Sequence, residues 1–392
     1  MRKVFTNGHI VLPDRVAEDI SLVVEGDRIV SADYIGSTDG MEVVDLNGGW
    51  LLAGFVDMHL HGGDGSDFMD GRVEDFQKAC RIHCAHGTTS LCPTATACSK
   101  EELFDLFDTC REAMAKGGLG ADILGLHLEG PYLSMQFKGA QPAHLIRNPD
   151  PAEVDEILEK ADGLIVRWSG APELEGMEAF AKKMKENRIL CAIAHSAAVA
   201  EEVIESHKWG FSLVTHAYNS TTFVHKVGQI VHGGIVEASI LLDEMDLELI
   251  GDGCHIPKEV MWTALKIKGP ERVALITDAM RAAGQNVTTS FLGNPNDNNP
   301  VIIEGGVAKL PDRSFYAGSI ATADRCYRNA VNVCQLSPVV VSKMMSATPA
   351  RILGRDAELG SLQAGKRADL VVMDTELQVR QVYVKGRLVS ES

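Results

Sequence analysis

Basic side chains are scarce in this chain: 37 Lys and Arg stand against 54 Asp and Glu, a formal net charge of −17. Such a field repels nucleic acid and anionic lipid, and no basic run interrupts it, so neither partner is expected. An anionic small molecule would need its own local cluster of donors. Long apolar runs are also missing, and no stretch reads as a bilayer span. The opening Met1-Arg2-Lys3-Val4-Phe5 leads into turn-punctuated sequence without the apolar stretch of a signal peptide. CxxC pairs are absent too. The nine cysteines, an odd number, are scattered from Cys80 to Cys334, as expected for reduced and mostly buried thiols in a cytoplasmic protein. No GK[ST] follows Gly62-Gly63-Asp64-Gly65, which excludes a phosphate-cradling P-loop there. Internal repeats and low-complexity linkers are likewise lacking.

What is present is a chain of 392 residues, 45% hydrophobic, a size that suits one large barrel with a smaller appendage. Burial is not limiting at this length, so a metal must be argued from chemistry and not from stability. Both ends are rich in short strands. Val4–Ile10, Ile20–Glu25, Arg28–Ala32 and Glu42–Leu46 are separated by turn chemistry such as Asn7-Gly8 and Gly26-Asp27. Asp369–Met373 and Gln381–Lys385 have the same character. The expected division is one small β domain from residues 1–50 and 350–392, and a barrel over 51–349.

The middle alternates apolar β-rich runs with helical stretches. Eight runs are expected as strands: Leu52–His59, Thr88–Pro93, Ile123–Glu129, Leu164–Ser169, Ile189–His195, Phe211–His216, Leu247–Asp252 and Val273–Asp278. Helices are expected between them, among them Val73–Ala85, Lys100–Lys116 and Met177–Asn187. Eight such units argue for a closed (β/α)8 barrel of the TIM type, with a doubly wound open sheet as the alternative that spacing alone leaves open.

Five of these runs end in His59, Glu129, His195, His216 or Asp278, and His255 closely follows a sixth. In a barrel, the carboxyl ends of all strands open on one face, so residues far apart in sequence converge there. His59-Leu60-His61 has i,i+2 spacing, which puts both rings on one face of a strand. Imidazole with carboxylate suits Zn²⁺ or Fe²⁺ better than Ca²⁺ or Mg²⁺. Taken singly, His195 and His216 read as core histidines; their shared location at strand ends reverses that. Glu129 follows an apolar run in which an unpaired carboxylate is costly to bury, and a metal relieves the cost. Asp278 has a competing reading as a helix cap. His127 shares its strand face with Glu129 and is expected behind the ligands, not among them. His83, His86, His144, His207 and His232 are expected to be surface or structural.

These motifs carry a family resemblance. Gly54-Phe-Val-Asp-Met-His-Leu-His-Gly62 resembles the opening motif of the amidohydrolase superfamily. His127-Leu-Glu-Gly-Pro-Tyr132, Lys138-Gly-Ala140, Thr215-His216, Asn219, Asp252-Gly-Cys-His255, Thr277-Asp-Ala-Met280 and Ala317-Gly-Ser319 follow in the order found in the N-acetylglucosamine-6-phosphate deacetylases. The likeness covers essentially the whole chain. It implies a deacetylase barrel with a small β-sandwich, usually a homodimer, that acts on a small phosphorylated N-acetyl amino sugar.

By that resemblance Glu129, His195 and His216 would bind the principal metal, Zn or Fe, and His59 with His61 would allow a second ion in each subunit. Strand four offers no lysine for a carbamate bridge, so Glu129 would take the bridging place, which argues against a hydantoinase or dihydroorotase. Asp278 would be the catalytic base and then acid. His255, Asn219, Ser220 and Gln141 would contact substrate, Gln141 standing where many members have histidine. Lys226 stands where the family has an arginine for the sugar phosphate, often reaching across the dimer. Lysine is a point charge without the bidentate fork, and a solvated loop charge is the competing reading. The galactosamine epimer or another N-acyl amino sugar is an alternative substrate. A non-catalytic barrel scaffold is disfavoured because six ligand or base positions are retained.

Overall fold

The computed structural model describes residues 2–293 and 299–392, without the side chain of Val227. Met1 of the expected terminal domain and residues 294–298 of the expected barrel segment lie outside the described residues.

Eight parallel strands form the centre: β1 (Phe55–Leu60), β2 (Thr88–Ala95), β3 (Leu126–Glu129), β4 (Ile165–Gly170), β5 (Leu190–Ile193), β6 (Phe211–Val214), β7 (Asp246–Ile250) and β8 (Val273–Ile276). Each pairs in parallel with the next from β1 through β8. The ring closes just beyond β8, where the Asp278 amide donates to the His59 carbonyl at 3.0 Å and the His61 amide to the Ala279 carbonyl at 2.7 Å. That closure decides against the open sheet.

A helix follows every strand: α1 (Val73–Ala85), α2 (Lys100–Lys116), α3 (Pro151–Ala161), α4 (Met177–Glu186), α5 (Ala200–Trp209), α6 (Ile235–Leu241), α7 (Lys258–Lys268) and α8 (Ala323–Arg328). Local chemistry sets their starts. Ser99 and Glu102 close a reciprocal capping box on α2. On α3, Asp150 accepts from the Ala152 and Glu153 amides while Pro151 occupies the first turn. The helices bury apolar faces such as Phe76, Phe107 and Phe180 in one large cluster that also takes Trp168 of β4. Cys80 and Cys84 lie on the buried face of α1.

The two chain ends build two further sheets. One holds Arg2–Thr6, Ser21–Glu25, Arg28–Tyr34 and Glu42–Asp45. In the other, Trp50–Ala53 pairs antiparallel with Leu370–Met373, so both ends share one sheet. Phe5, Leu22 and Ile29 of the first sheet pack with Ile10, Leu51 and Tyr383 of the second in a separate core.

One element has no counterpart in the sequence reading. Between β8 and α8, the strands Thr289–Phe291, Pro300–Glu304, Val307–Lys309 and Tyr316–Ser319 form an antiparallel sheet on the face where the strand ends open. A second addition is the hairpin His225–Val227 with Ile230–His232 after β6. No helix among the described residues is long and apolar enough to cross a membrane.

Candidate metal centre

Three of the polar strand-end residues stand just past their strands, on strained backbone. His195, His216 and Asp278 have φ of 44°, 29° and 46°, a left-handed conformation that residues other than glycine rarely adopt. Hydrogen bonds hold the kinks. The Ser196 amide donates to the Ser220 carbonyl at 3.1 Å, the Ala217 amide to the Glu248 carbonyl at 2.8 Å, and the Ser319 amide to the Asp278 carbonyl at 2.8 Å. Their side chains meet those of Glu129, from the end of β3, and His59 and His61, from the end of β1.

Glu129 is the centre of this group. Its Oε1 lies 2.8 Å from His216 Nε2, 3.2 Å from His195 Nε2 and 3.7 Å from His59 Nε2. Its Oε2 lies 3.5 Å from His61 Nε2. Asp278 Oδ1 stands 3.4 Å from His59 Nε2 and 3.3 Å from His61 Nε2. All of these side chains are buried, and two ligand triads share Glu129: His59, His61, Glu129 and Glu129, His195, His216, with donor atoms within 4.8 Å of one another.

The ring tautomers show what this arrangement suits. His195 Nδ1 donates to the Phe137 carbonyl at 2.9 Å and His216 Nδ1 to the Asn219 carbonyl at 3.1 Å. Their Nε2 lone pairs then face Glu129 Oε1. Lone pairs turned on a carboxylate oxygen repel it unless a proton or a cation lies between, and one divalent cation satisfies all three donors. Nitrogen and oxygen donors of this kind fit Zn²⁺ and related transition ions. Burial alone would raise the pKa of Glu129, yet the imidazoles around it, His59 first, hold it well below the usual carboxylate range. Asp278 is likewise depressed against the effect of burial, by His59 and His61 first.

Behind the cluster, inside the barrel, runs a polar chain. His127 bonds Thr94 Oγ1 through Nδ1 at 3.2 Å and Ser169 Oγ through Nε2 at 2.7 Å, which uses both ring nitrogens. Burial, together with the charges of Arg167 and His59, pushes its pKa well down, and both ring nitrogens are turned to Thr94 and Ser169 instead of Glu129. Ser169 Oγ meets Thr215 Oγ1 at 3.1 Å, and Thr215 Oγ1 accepts from Arg167 Nη2 at 2.7 Å. Arg167 is wholly buried and makes a two-point pair with Glu248, with Nη2 2.8 Å from Oε2.

A cavity of about 420 Å³ opens above the cluster. Gln141, Asn219, Ser220 and His255 line it, together with His61, Glu129, His195, His216 and Asp278. Gln141 is already engaged: its Nε2 donates to Glu129 Oε2 at 2.9 Å and its Oε1 accepts from the Ala97 amide at 2.9 Å. Lys226 is not brought in; it is exposed on the hairpin after β6 and does not line the cavity.

Other wall residues were not singled out from sequence: Thr96, Tyr218, Arg313 and Tyr316. Tyr218 lies two residues past His216, on backbone with φ 75°. Arg313 and Tyr316 come from the added sheet. A signal for that sheet existed, because Val301-Ile-Ile-Glu304, Gly305-Gly306 and Val307-Ala-Lys309 read as strand, turn and strand.

The amidohydrolase family model matches residues 50–389. An N-acetylglucosamine-6-phosphate deacetylase of Lysinibacillus sphaericus is 33% identical over 353 residues, covering 89% of this chain and 88% of that protein. An N-acetylgalactosamine-6-phosphate deacetylase of Escherichia coli is 32% identical over 350 residues, covering 89% and 90%. Among solved structures, a variant N-acetyl-D-glucosamine-6-phosphate deacetylase of Mycobacterium smegmatis, in complex with N-acetyl-D-glucosamine-6-phosphate, superposes with a TM-score of 0.90 at 28% identity. That match covers 100% of this chain and 99% of that one.

Proposed function

The chain belongs to the amidohydrolase family, and from that premise we propose that it is a metal-dependent deacetylase converting N-acetylglucosamine 6-phosphate to glucosamine 6-phosphate and acetate. One observation carries the reading: the Glu129 carboxylate is shared between two histidine pairs whose ring nitrogens converge on it, with Asp278 alongside. The 33% identical N-acetylglucosamine-6-phosphate deacetylase supports the substrate.

Glu129, His195 and His216 would hold the principal ion, Zn or Fe, and His59 with His61 a second one beside the shared carboxylate. When bound, the ion lowers the pKa of water and polarises the amide carbonyl. His59 and His61, each within 3.4 Å, hold the Asp278 carboxyl below its usual range, and its Oδ1 would take the proton from water as oxygen bonds to the carbonyl carbon. The same proton goes to nitrogen as the C–N bond breaks, releasing acetate and amine. Gln141 holds Glu129 Oε2 in place, and its position on the wall also offers a contact to the acyl group. His255 is oriented by Asp252, whose Oδ2 lies 2.8 Å from its Nδ1, and together with Asn219 and Ser220 supplies polar contacts to the sugar and its phosphate.

We read residues 51–349 as the catalytic barrel and 1–50 with 350–392 as the supporting β domain. The enzyme is read as cytoplasmic, in keeping with its buried cysteines. A homodimer is supported by the exposed apolar side chains Phe223, Val224, Ile230 and Val231 around the hairpin that carries Lys226. In such a dimer Lys226 would serve the partner's phosphate site.

The 32% identical N-acetylgalactosamine-6-phosphate deacetylase carries the second reading, the epimer as substrate. Acetate release from both epimers in direct competition tests the choice. Preference for the glucosamine epimer in kcat/KM supports the first reading; a preference for the galactosamine epimer replaces it with the second.

A further inference from the structure

The buried floor of the cavity carries the chemistry, and its exposed rim carries one group the deacetylation does not use. Among the described residues that line the cavity, Arg313 is the one Lys or Arg. It sits at the tip of the hairpin between Val307–Lys309 and Tyr316–Ser319, where its amide donates to the Leu310 carbonyl at 2.8 Å. Its φ of 62° is unusual for arginine and marks a tight tip held in one conformation. Asp312 fixes the tip further by accepting from the Ser314 amide at 3.0 Å and the Ser314 hydroxyl at 2.6 Å. Tyr316 of the same hairpin packs edge-on against His255, with ring centroids 4.7 Å apart, which ties the hairpin to a wall residue that follows β7.

The guanidinium is only partly occupied. Nε lies 3.1 Å from Glu304 Oε2 and Nη2 3.5 Å from Oε1, and Lys309 Nζ competes for the same carboxylate at 3.4 Å. Two of arginine's five N–H donors are thus engaged, which leaves three. An exposed pair of this kind is weak and easily exchanged for a better anion. A phosphate dianion is such an anion, because the guanidinium fork matches two of its oxygens. In a chain of net charge −17, a cation on the rim of the cavity is what an anionic ligand requires.

We propose that Arg313 is the specificity-determining anion contact of this site, gripping the substrate phosphate from the same chain that supplies the catalytic floor. The inference rests on the deacetylase reading above, and it gives the phosphate a bidentate partner that Lys226 cannot provide.

The test compares the metal-loaded enzyme with Arg313→Asn, Arg313→Lys and Glu304→Gln on N-acetylglucosamine 6-phosphate and on unphosphorylated N-acetylglucosamine. Asparagine tolerates the left-handed backbone, so the loop conformation is kept. The readout is the ratio of kcat/KM for the phosphorylated over the unphosphorylated sugar. Arg313→Asn is expected to lower that ratio about 10- to 100-fold through KM, with kcat on the phosphorylated sugar little changed. Arg313→Lys should restore part of the loss, and Glu304→Gln should raise the ratio by freeing the guanidinium. A wild-type enzyme that prefers the phosphorylated sugar, with an Arg313→Asn ratio within about twofold of it, overturns the inference and leaves the deacetylase reading intact. A wild type that releases acetate from both sugars without preference also overturns the inference alone, whereas no acetate release from either overturns the deacetylase reading and the inference with it.

Discussion

Glu248 stands directly behind His59, its Oε2 3.6 Å from the ring Nδ1, while Arg167 grips the same carboxylate from the other side. A wholly buried ion pair thereby sets a carboxylate behind the imidazole, beyond hydrogen-bond reach, while the ring Nε2 faces the centre of the site. Truncating one partner leaves an uncompensated charge in the barrel. Glu248→Ala should therefore lower unfolding stability by about 3–5 kcal/mol. Replacing both, as Arg167→Met with Glu248→Leu, should recover most of that stability and still weaken binding at the His59 position, about 10- to 100-fold in metal affinity. Denaturant unfolding and metal titration of the two variants separate the roles. Full recovery of affinity in the double variant would show that the pair does not position His59.

In the proposed mechanism Asp278 would contribute a proton site and not the scaffold of the metal. Asp278→Asn is isosteric and keeps the two triads that share Glu129. It should bind metal as the wild type does and lose turnover by about 10²- to 10⁴-fold. Metal content and acetate release measured on the same preparation decide the matter, and near-normal turnover in pure variant would remove Asp278 from the mechanism.

Gln141 joins the backbone of Ala97 to the Glu129 carboxylate. Gln141→Leu leaves the Ala97 amide unpaired in a buried site and releases Oε2. The expected cost is about 1–3 kcal/mol of stability and a fall in metal affinity of about 10-fold or more. If instead only KM changes, Gln141 serves substrate alone.

Much of this was legible in the sequence because barrel strands are continuous apolar runs punctuated at their ends. Helices α1 and α2 fall on the expected residues, and the eight strands fall within or beside the expected runs. The fifth, sixth and eighth strands end earlier than expected, because the chain turns left-handed at His195, His216 and Asp278 to aim those side chains inward. Strain of that kind has no signature in hydrophobic periodicity. Arg167 and Glu248 were invisible for another reason: each sits inside an apolar strand, and only closure of the barrel pairs them. The added sheet did carry a turn signal at Gly305-Gly306, but the placement of its Arg313 hairpin over the cavity depends on contacts such as His255 with Tyr316 that sequence does not encode locally.

His83 gives the protein a pH-dependent stability that is separate from catalysis. It is buried with Nε2 2.8 Å from the Gly62 carbonyl, and burial pushes its pKa down to about 4, against a small opposing effect of that hydrogen bond. Above pH 6.5 the ring is neutral in both states, so its contribution is fully present. Between 6.5 and about 4 the unfolded chain takes up a proton that the folded one refuses, and stability falls as pH falls. The slope is at most about 1.4 kcal/mol per pH unit. His83→Gln keeps a donor for Gly62 and should flatten the slope in that window by up to this amount. Urea midpoints for both proteins from pH 7 to pH 4.5 check it, and parallel curves would contradict it.

Acetate release from N-acetylglucosamine 6-phosphate, before and after chelation and with the metal content counted in parallel, tests the metal centre. Turnover should disappear as the ions are stripped and return when Zn²⁺ or Fe²⁺ is added back. Turnover that persists in metal-free protein would contradict the central claim, because the carboxylate shared by His59, His61, His195 and His216 would then have no catalytic ion to hold.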